Sequence, residues 1–216
     1  MSSDKIERKI AVIFVTDVVN YSKHMETDEV ETLQNLRSCR EILQDLFEQH
    51  GGRVFNTAGD SVLGEFSSAV SAVVCASEFQ NLINGKNRSD DKTYNLEFRI
   101  GINMGDVVQE EGNLYGEGVN IAARLESLAQ PSGICISKNV YDIVDSRTKF
   151  FFKDLGEQKV KNTVVHAFDV YSGSDPTFKR RVNRLKSKPF LLRRKLVFIC
   201  VAVGLFFLSY FIFIGK

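Results

Sequence analysis

Two aspartates and one helix carry the side chains best suited to chemistry in this sequence. Asp17 closes an apolar run in Phe14-Val15-Thr16-Asp17-Val18-Val19-Asn20-Tyr21. Asp60 stands in Thr57-Ala58-Gly59-Asp60-Ser61, between two strand-like segments. If the strands that carry them flank each other, both carboxylates meet at one sheet edge. With a backbone carbonyl they then offer hard oxygen ligands for two Mg²⁺ or Mn²⁺ ions. Spacing alone does not separate this reading from two ordinary turn aspartates. Downstream, Gly116-Glu117-Gly118-Val119-Asn120-Ile121-Ala122-Ala123-Arg124 opens a helix. Its glycines permit close backbone approach at a helix N-terminus, a natural place for phosphate. Asn120 and Arg124 are four residues apart and share a face. An amide and a fixed cation projecting together suit a triphosphate whose charge grows during attack. Ordinary surface polarity of a helix would give the same two residues.

The elements that must position these groups follow from hydrophobic periodicity. Lys9 to Val15 is short, apolar and β-branched, the pattern of a buried strand. Thr27 and Asp28 offer N-caps, with Glu31 three residues after Asp28, and Leu33, Leu36, Leu43, Leu46 and Phe47 recur at helical spacing up to His50. Gly51-Gly52 ends that helix. Arg53 to Thr57 and Ser61 to Phe66 form a hairpin around Ala58-Gly59-Asp60. A second helix is expected from Ser68 to Leu82, a polar loop over Asn84 to Lys92, and a strand over Leu96 to Ile102. Met104-Gly105-Asp106 reads as a turn, with Val107 to Gln109 returning. A helix over Gly116 to Leu128, a strand over Ile134 to Ser137, a short helix over Val140 to Val144 and strands over Phe150 to Phe152 and Val164 to Tyr171 complete the domain. This alternation predicts an α+β fold, one sheet with helices on one face.

Composition divides the chain. Its 28 basic and 27 acidic residues almost cancel, but nine of the basic ones fall between Pro176 and Lys195, where there is no acid. Residues 1–175 therefore carry about −9, so a polyanionic ligand there needs metal ions or a local cationic site. Cys39, Cys75, Cys135 and Cys200 form no C-x-x-C pair and sit in apolar runs, as small buried hydrophobes do. His24, His50 and His166 are isolated, without metal-ligand spacing. Three segments result: a catalytic domain at 1–171, a basic linker at 172–195 and a membrane-spanning helix at 196–214. Leu196 to Ile214 holds no charge, and as a helix it spans about 28 Å, close to the hydrocarbon core. Arg193-Arg194-Lys195 places the domain on the cytoplasmic side of a single-pass anchor. That neighbouring span favours anionic lipid over nucleic acid as the partner of the basic linker.

Together the motifs resemble the catalytic domain of class III adenylate and guanylate cyclases, over roughly residues 8–171. The carriers are Phe14-Val15-Thr16-Asp17-Val18, Thr57-Ala58-Gly59-Asp60, Arg99-Ile100-Gly101-Ile102-Asn103-Met104-Gly105, Tyr115 through Arg124, and Leu155-Gly156-Glu157-Gln158-Lys159-Val160-Lys161. Leu125-Glu126 after the arginine is similar to the bacterial branch. The resemblance implies a ferredoxin-like core and head-to-tail homodimers with active sites between the subunits. It implies that Asp17 and Asp60, assisted by the Val18 carbonyl, bind two Mg²⁺ or Mn²⁺ ions. Asn120 would orient the ribose, Arg124 would stabilise the α-phosphate, and Lys161 would hold the terminal phosphates. ATP, or alternatively GTP, would be cyclised. The base-selecting positions depart from the family pattern. Asn56 stands where adenylate cyclases usually have Lys and guanylate cyclases Glu, and Asn113 where adenylate cyclases usually have Asp. An amide can both donate and accept, so it suits either base. A nucleotide-binding module with little turnover is the reading from another class.

Overall fold

The computed structural model describes residues 7–89, 96–160 and 163–172. The basic linker, the apolar segment 196–214 and Lys161 lie outside the described residues. Eight strands form one sheet in the order β2-β3-β1-β4-β6-β8-β7, with β5 paired to β4. Strand β1 (Glu7–Val18) is central because Ala11 to Val15 is apolar at every position and buried throughout. β1 lies antiparallel to β3 (Ser61–Phe66) and to β4 (Phe98–Glu110), and β3 is antiparallel to β2 (Gly52–Ala58). These four strands with the helices that connect them make the expected ferredoxin-like core. β6 (Ile134–Ser137) then adds parallel to β4, followed by the β7 (Phe151–Val160) and β8 (Thr163–Tyr171) hairpin.

Five α-helices accompany the sheet among the described residues. α1 (Tyr21–Thr27) starts directly after β1, where Asn20 takes φ 55° and turns the chain. Of the two offered caps, α2 (Glu29–Gln49) uses Asp28, whose carboxylate accepts from the Glu31 N–H at 2.9 Å. It buries Leu36, Cys39, Leu43, Leu46 and Phe47. α3 (Ala69–Ser89) and α5 (Lys138–Val144) join α2 on the Val12 and Phe14 side of β1. α4 (Glu117–Leu128) packs on the opposite side, against Ala11, Ile13, Val15 and Val107 and, farther along, Cys135 and Ala167.

The structure corrects the expectation of helices on one face. A strand apolar at consecutive positions presents apolar groups to both faces, and α4 covers the second. The Met104-Gly105-Asp106 turn does not exist either. β4 runs unbroken through it, pairing with β1 from Val18↔Phe98 to Glu7↔Gln109. The turn comes at Glu111-Gly112, both at positive φ, and β5 (Asn113–Tyr115) returns. α3 continues into the segment read as a loop. Ile83 is buried just before it, and within it Lys86 donates to Ser38 Oγ at 2.8 Å and Asn87 to the Leu96 carbonyl at 2.9 Å. Phe150 and Phe152 pack on the core, but Phe151 faces outward, 48% exposed, because side chains alternate along β7.

Glycine fixes how closely α4 lies on the sheet. A Cβ at Gly101 would stand 2.1 Å from the Glu126 backbone nitrogen and 2.2 Å from the Ala122 carbonyl oxygen. Gly105 and Gly118 meet in the same contact, and the buried Asn103 amide donates to the Gly118 carbonyl at 2.9 Å. The glycines of the Arg99 to Gly105 motif are therefore strand residues pressed against a helix.

Candidate active site

Asp17 and Asp60 meet as the sequence predicts, at the ends of neighbouring interior strands rather than at an outer edge of the sheet. The register Thr16↔Val62 places Asp17 beside the β2–β3 turn. Ser61 Oγ donates to Asp17 Oδ1 at 2.7 Å, and the Val18 N–H donates to Asp60 Oδ2 at 3.1 Å. Two groups that the sequence reading did not assign hold this arrangement. Arg40 of α2 donates to the Gly59 carbonyl and ties down the turn. Arg99 of β4 stands opposite Asp17, its Nη2 3.7 Å from Asp17 Oδ2. The signal for Arg99 was its place in the Arg99 to Gly105 motif. The signal for Arg40 was only a cation on an otherwise amphipathic helix, which cannot be told from a solvated one.

The Asp60 carboxyl is pushed up to about 6 by burial first and then by the adjacent Asp17 carboxyl, against a downward pull from the Val18 N–H. Two carboxylates this close repel once both are ionised, and a divalent cation between them removes the repulsion. The donor set is all oxygen, which suits Mg²⁺ or Mn²⁺. No cluster of three or more His, Cys, Asp or Glu stands among the described residues. The protein would thus supply two carboxylates and the Val18 carbonyl, leaving the remaining positions to phosphate and water.

Asn120 and Arg124 lie one turn apart on α4, Asn120 exposed and Arg124 half-buried. Arg124 Nη1 is buried without a hydrogen-bond partner. Within the chain no hydrogen bond or ion pair among the described residues joins either residue to Asp17 or Asp60. The structure thus presents a carboxylate pair at the strand ends and, apart from it, an amide–guanidinium face on α4. Asn113 on β5 keeps its amide oxygen buried with no donor, while Asn56 is exposed at the β2 bulge. Arg53 Nη1 donates to the Gly112 carbonyl at 2.9 Å, so the strand of Asn56 and the hairpin of Asn113 are tied together in one chain.

The family model for the adenylate and guanylate cyclase catalytic domain matches residues 3–172. The chain belongs to this cyclase family. The cyclase domain is 42% identical over 163 residues to a putative adenylate cyclase 3 of Rhizobium meliloti, covering 75% of this chain and 28% of that one. It is 31% identical over 134 residues to an adenylate cyclase of Streptomyces coelicolor, covering 62% and 33%. The chain thus spans about a third or less of these curated relatives. Among solved structures, the cyclase domain is similar to the adenylate/guanylate cyclase/hydrolase of Silicibacter pomeroyi, with TM-score 0.73 and 35% identity over 78% of this chain and 99% of that one. CyaB, an adenylyl cyclase of P. aeruginosa, shares the fold at TM-score 0.70 and 22% identity, over 78% and 96%.

Three other candidates pair elsewhere in the fold. His50 pairs with Glu78 at 2.8 Å, and His166 with Asp154 at 2.7 Å. Asp106, expected in a turn, sits in β4 and pairs with Arg8 at 3.0 Å. Cys39, Cys75 and Cys135 are buried free thiols, and burial pushes Cys75 and Cys135 up to about 12.

Proposed function

We propose that this chain is an adenylate cyclase, converting ATP to 3′,5′-cyclic AMP and pyrophosphate. The observation that carries the reading is the Asp17–Asp60 pair. It is a close, partly buried carboxylate couple that no cation among the described residues approaches nearer than Arg99, 3.7 Å from Asp17. Two metal ions held there, with the Val18 carbonyl, would lower the pKa of the ribose 3′-OH and offset charge on the pyrophosphate. The protein groups do the rest by position. Asn120 orients the ribose so that the 3′ oxygen stands in line with the α-phosphorus. As that oxygen bonds to phosphorus and the bond to pyrophosphate breaks, Arg124 meets the charge on the α-phosphate. Lys161 holds the terminal phosphates.

As half-sites, the carboxylate pair and the α4 face stand apart within one chain, which supports a head-to-tail homodimer with two shared sites. For the base, Asn56 and Asn113 carry no selecting charge. The lone Asn113 oxygen accepts equally from the adenine amino group or from guanine N1–H and its amino group. ATP is favoured by the missing Glu at position 56 and by relatives named adenylate cyclases. GTP remains the alternative, because a flipped amide reverses the preference. The test is product formation by the full chain with ATP and GTP in parallel, under Mg²⁺ and Mn²⁺, read as kcat/KM. A higher kcat/KM for ATP is expected. A higher value for GTP makes it a guanylate cyclase. Nucleotide binding without product under either metal makes it a regulatory module.

The apolar segment Leu196 to Ile214, with Arg193-Arg194-Lys195 before it, supports a single-pass membrane anchor with the catalytic domain cytoplasmic. No helix among the described residues is long and apolar enough to cross a membrane. The full chain is expected to stay in the membrane pellet through carbonate washing, while residues 1–175 stay in the supernatant. Release of the full chain by carbonate contradicts the anchor.

A further inference from the structure

Two carboxylates compete for Arg99. Asp17 lies across the β1–β4 ladder, 3.7 Å from Nη2, and its side chain is 25% exposed. Glu126 is nearer, its Oε1 2.8 Å from Nε, and its side chain is only 8% exposed. The Glu126 contact is close but not aligned as a hydrogen bond. Glu126 comes from α4, and it reaches Arg99 because residue 101 is glycine. Any Cβ there would strike the Glu126 backbone. Its other oxygen accepts from Ser127 Oγ at 3.2 Å. Burial pushes the Glu126 carboxyl up and Arg99 pulls it back. A carboxylate so placed is held by its cation, and the cation by it.

The consequence falls on Asp17. Its Oδ1 already accepts from Ser61 Oγ. A guanidinium docked in a fork on the same carboxylate would take the remaining lone pairs, which a cation needs. At 3.7 Å Arg99 offsets part of the charge of the aspartate pair without occupying those lone pairs. The nearer attachment to Glu126 keeps it at that distance.

We propose that Glu126 is a positioning residue for metal binding: it draws Arg99 off Asp17 and so leaves Asp17 open to a divalent cation. The proposal rests on the reading of Asp17 and Asp60 as metal ligands. It also gives α4 a second task. The helix offers Asn120 and Arg124 on one side. Roughly 200° around from Arg124 it anchors the arginine of the carboxylate half-site.

The experiment is a Mn²⁺ titration of the full chain without nucleotide, free Mn²⁺ being read by electron paramagnetic resonance. Four proteins are compared: native, Glu126→Gln, Arg99→Gln and the double variant, with folding checked by circular dichroism. Glu126→Gln is expected to weaken Mn²⁺ binding about 10-fold or more, as loss of an outer partner does at other metal sites. Arg99→Gln is expected to strengthen it about 3-fold, because a cation beside the site is gone. In the double variant affinity should match that of Arg99→Gln to within about 2-fold, since Glu126 acts through Arg99. If Glu126→Gln costs nothing, or costs the same factor with Gln at position 99, the proposal is overturned. Should Glu126→Gln fail to fold, Arg99→Gln decides: unchanged or weaker Mn²⁺ binding overturns it. A native chain that binds no Mn²⁺ overturns the metal reading itself, a result distinct from native binding that Glu126→Gln leaves unaltered.

Discussion

Asp60→Asn is expected to abolish cyclisation and, at the same time, to raise the melting temperature of the metal-free protein at neutral pH. The Asp60 carboxyl is held at about 6 in the folded chain, against 3.8 for a free aspartate. The folded chain thus binds this proton more tightly than the unfolded chain. The stabilisation it gives is complete below the unfolded value and is lost as pH rises through the folded one. At pH about 7.5 the ionised carboxylate is therefore a liability, disfavoured by burial and by Asp17. Asparagine retains an acceptor for the Val18 N–H and removes the charge. The variant should melt higher than native at pH about 7.5, and the difference should close below about pH 4. If the pair holds Mn²⁺, the ion should reverse the order, since a ligand of the native fold stabilises it by mass action. Activity should fall at least about 10³-fold, the scale of several kcal/mol of lost charge stabilisation. Calorimetry at both pH values, with and without Mn²⁺, and chromatography of the product check this. A variant less stable than native at neutral pH without metal would show that the two carboxylates do not strain each other.

Much of this site could be read from the chain because each part has a local cause. Asp17 follows a run of buried β-branched residues, so it must stand at a strand end. Asp60 follows a glycine at φ 60° in a two-residue turn, so it must stand at a hairpin tip. What brings them together is the pairing of β1 with β3, a contact across more than 40 residues that periodicity does not encode. The same limit explains the misplaced turn. Met104-Gly105-Asp106 has turn chemistry, but β1 pairs with β4 along its full length and carries the strand straight through. The glycine serves the approach of Gly118 instead. α4 on the second face was legible in principle. Ala11 to Val15 has no polar position, and such a strand needs cover on both sides. Arg40 and Arg99 are different. Their sequence neighbours say nothing of the Gly59 carbonyl or of Glu126, and only tertiary packing pairs them.

The separation of the two half-sites leads to the sharpest test of the assembly. Asp17→Ala disables the carboxylate half and Arg124→Ala the guanidinium half. Each homodimer should be nearly inactive, Arg124→Ala by roughly 10²-fold or more in kcat, as when a charge-stabilising donor is lost. If each site takes one half from each subunit, a mixed dimer gathers both defects in one site and leaves the other intact. Mixing the two inactive proteins should then restore roughly half of native turnover per mixed dimer, since one of two equivalent sites is whole. The structure favours this outcome over a site within one chain. Arg124 Nη1 is buried without a partner, and neither Asn120 nor Arg124 bonds to Asp17 or Asp60. α4 cannot swing inward to change that, because Gly101 and Gly105 already hold it at backbone contact with β4. The readout is cyclic nucleotide formed after subunit exchange, with mixed dimers verified by differently tagged chains. Restored activity requires that Arg124 act on a nucleotide bound by the other subunit's aspartates. Persistent inactivity in verified mixed dimers would place all the groups in one chain and would rule out sites shared between the subunits.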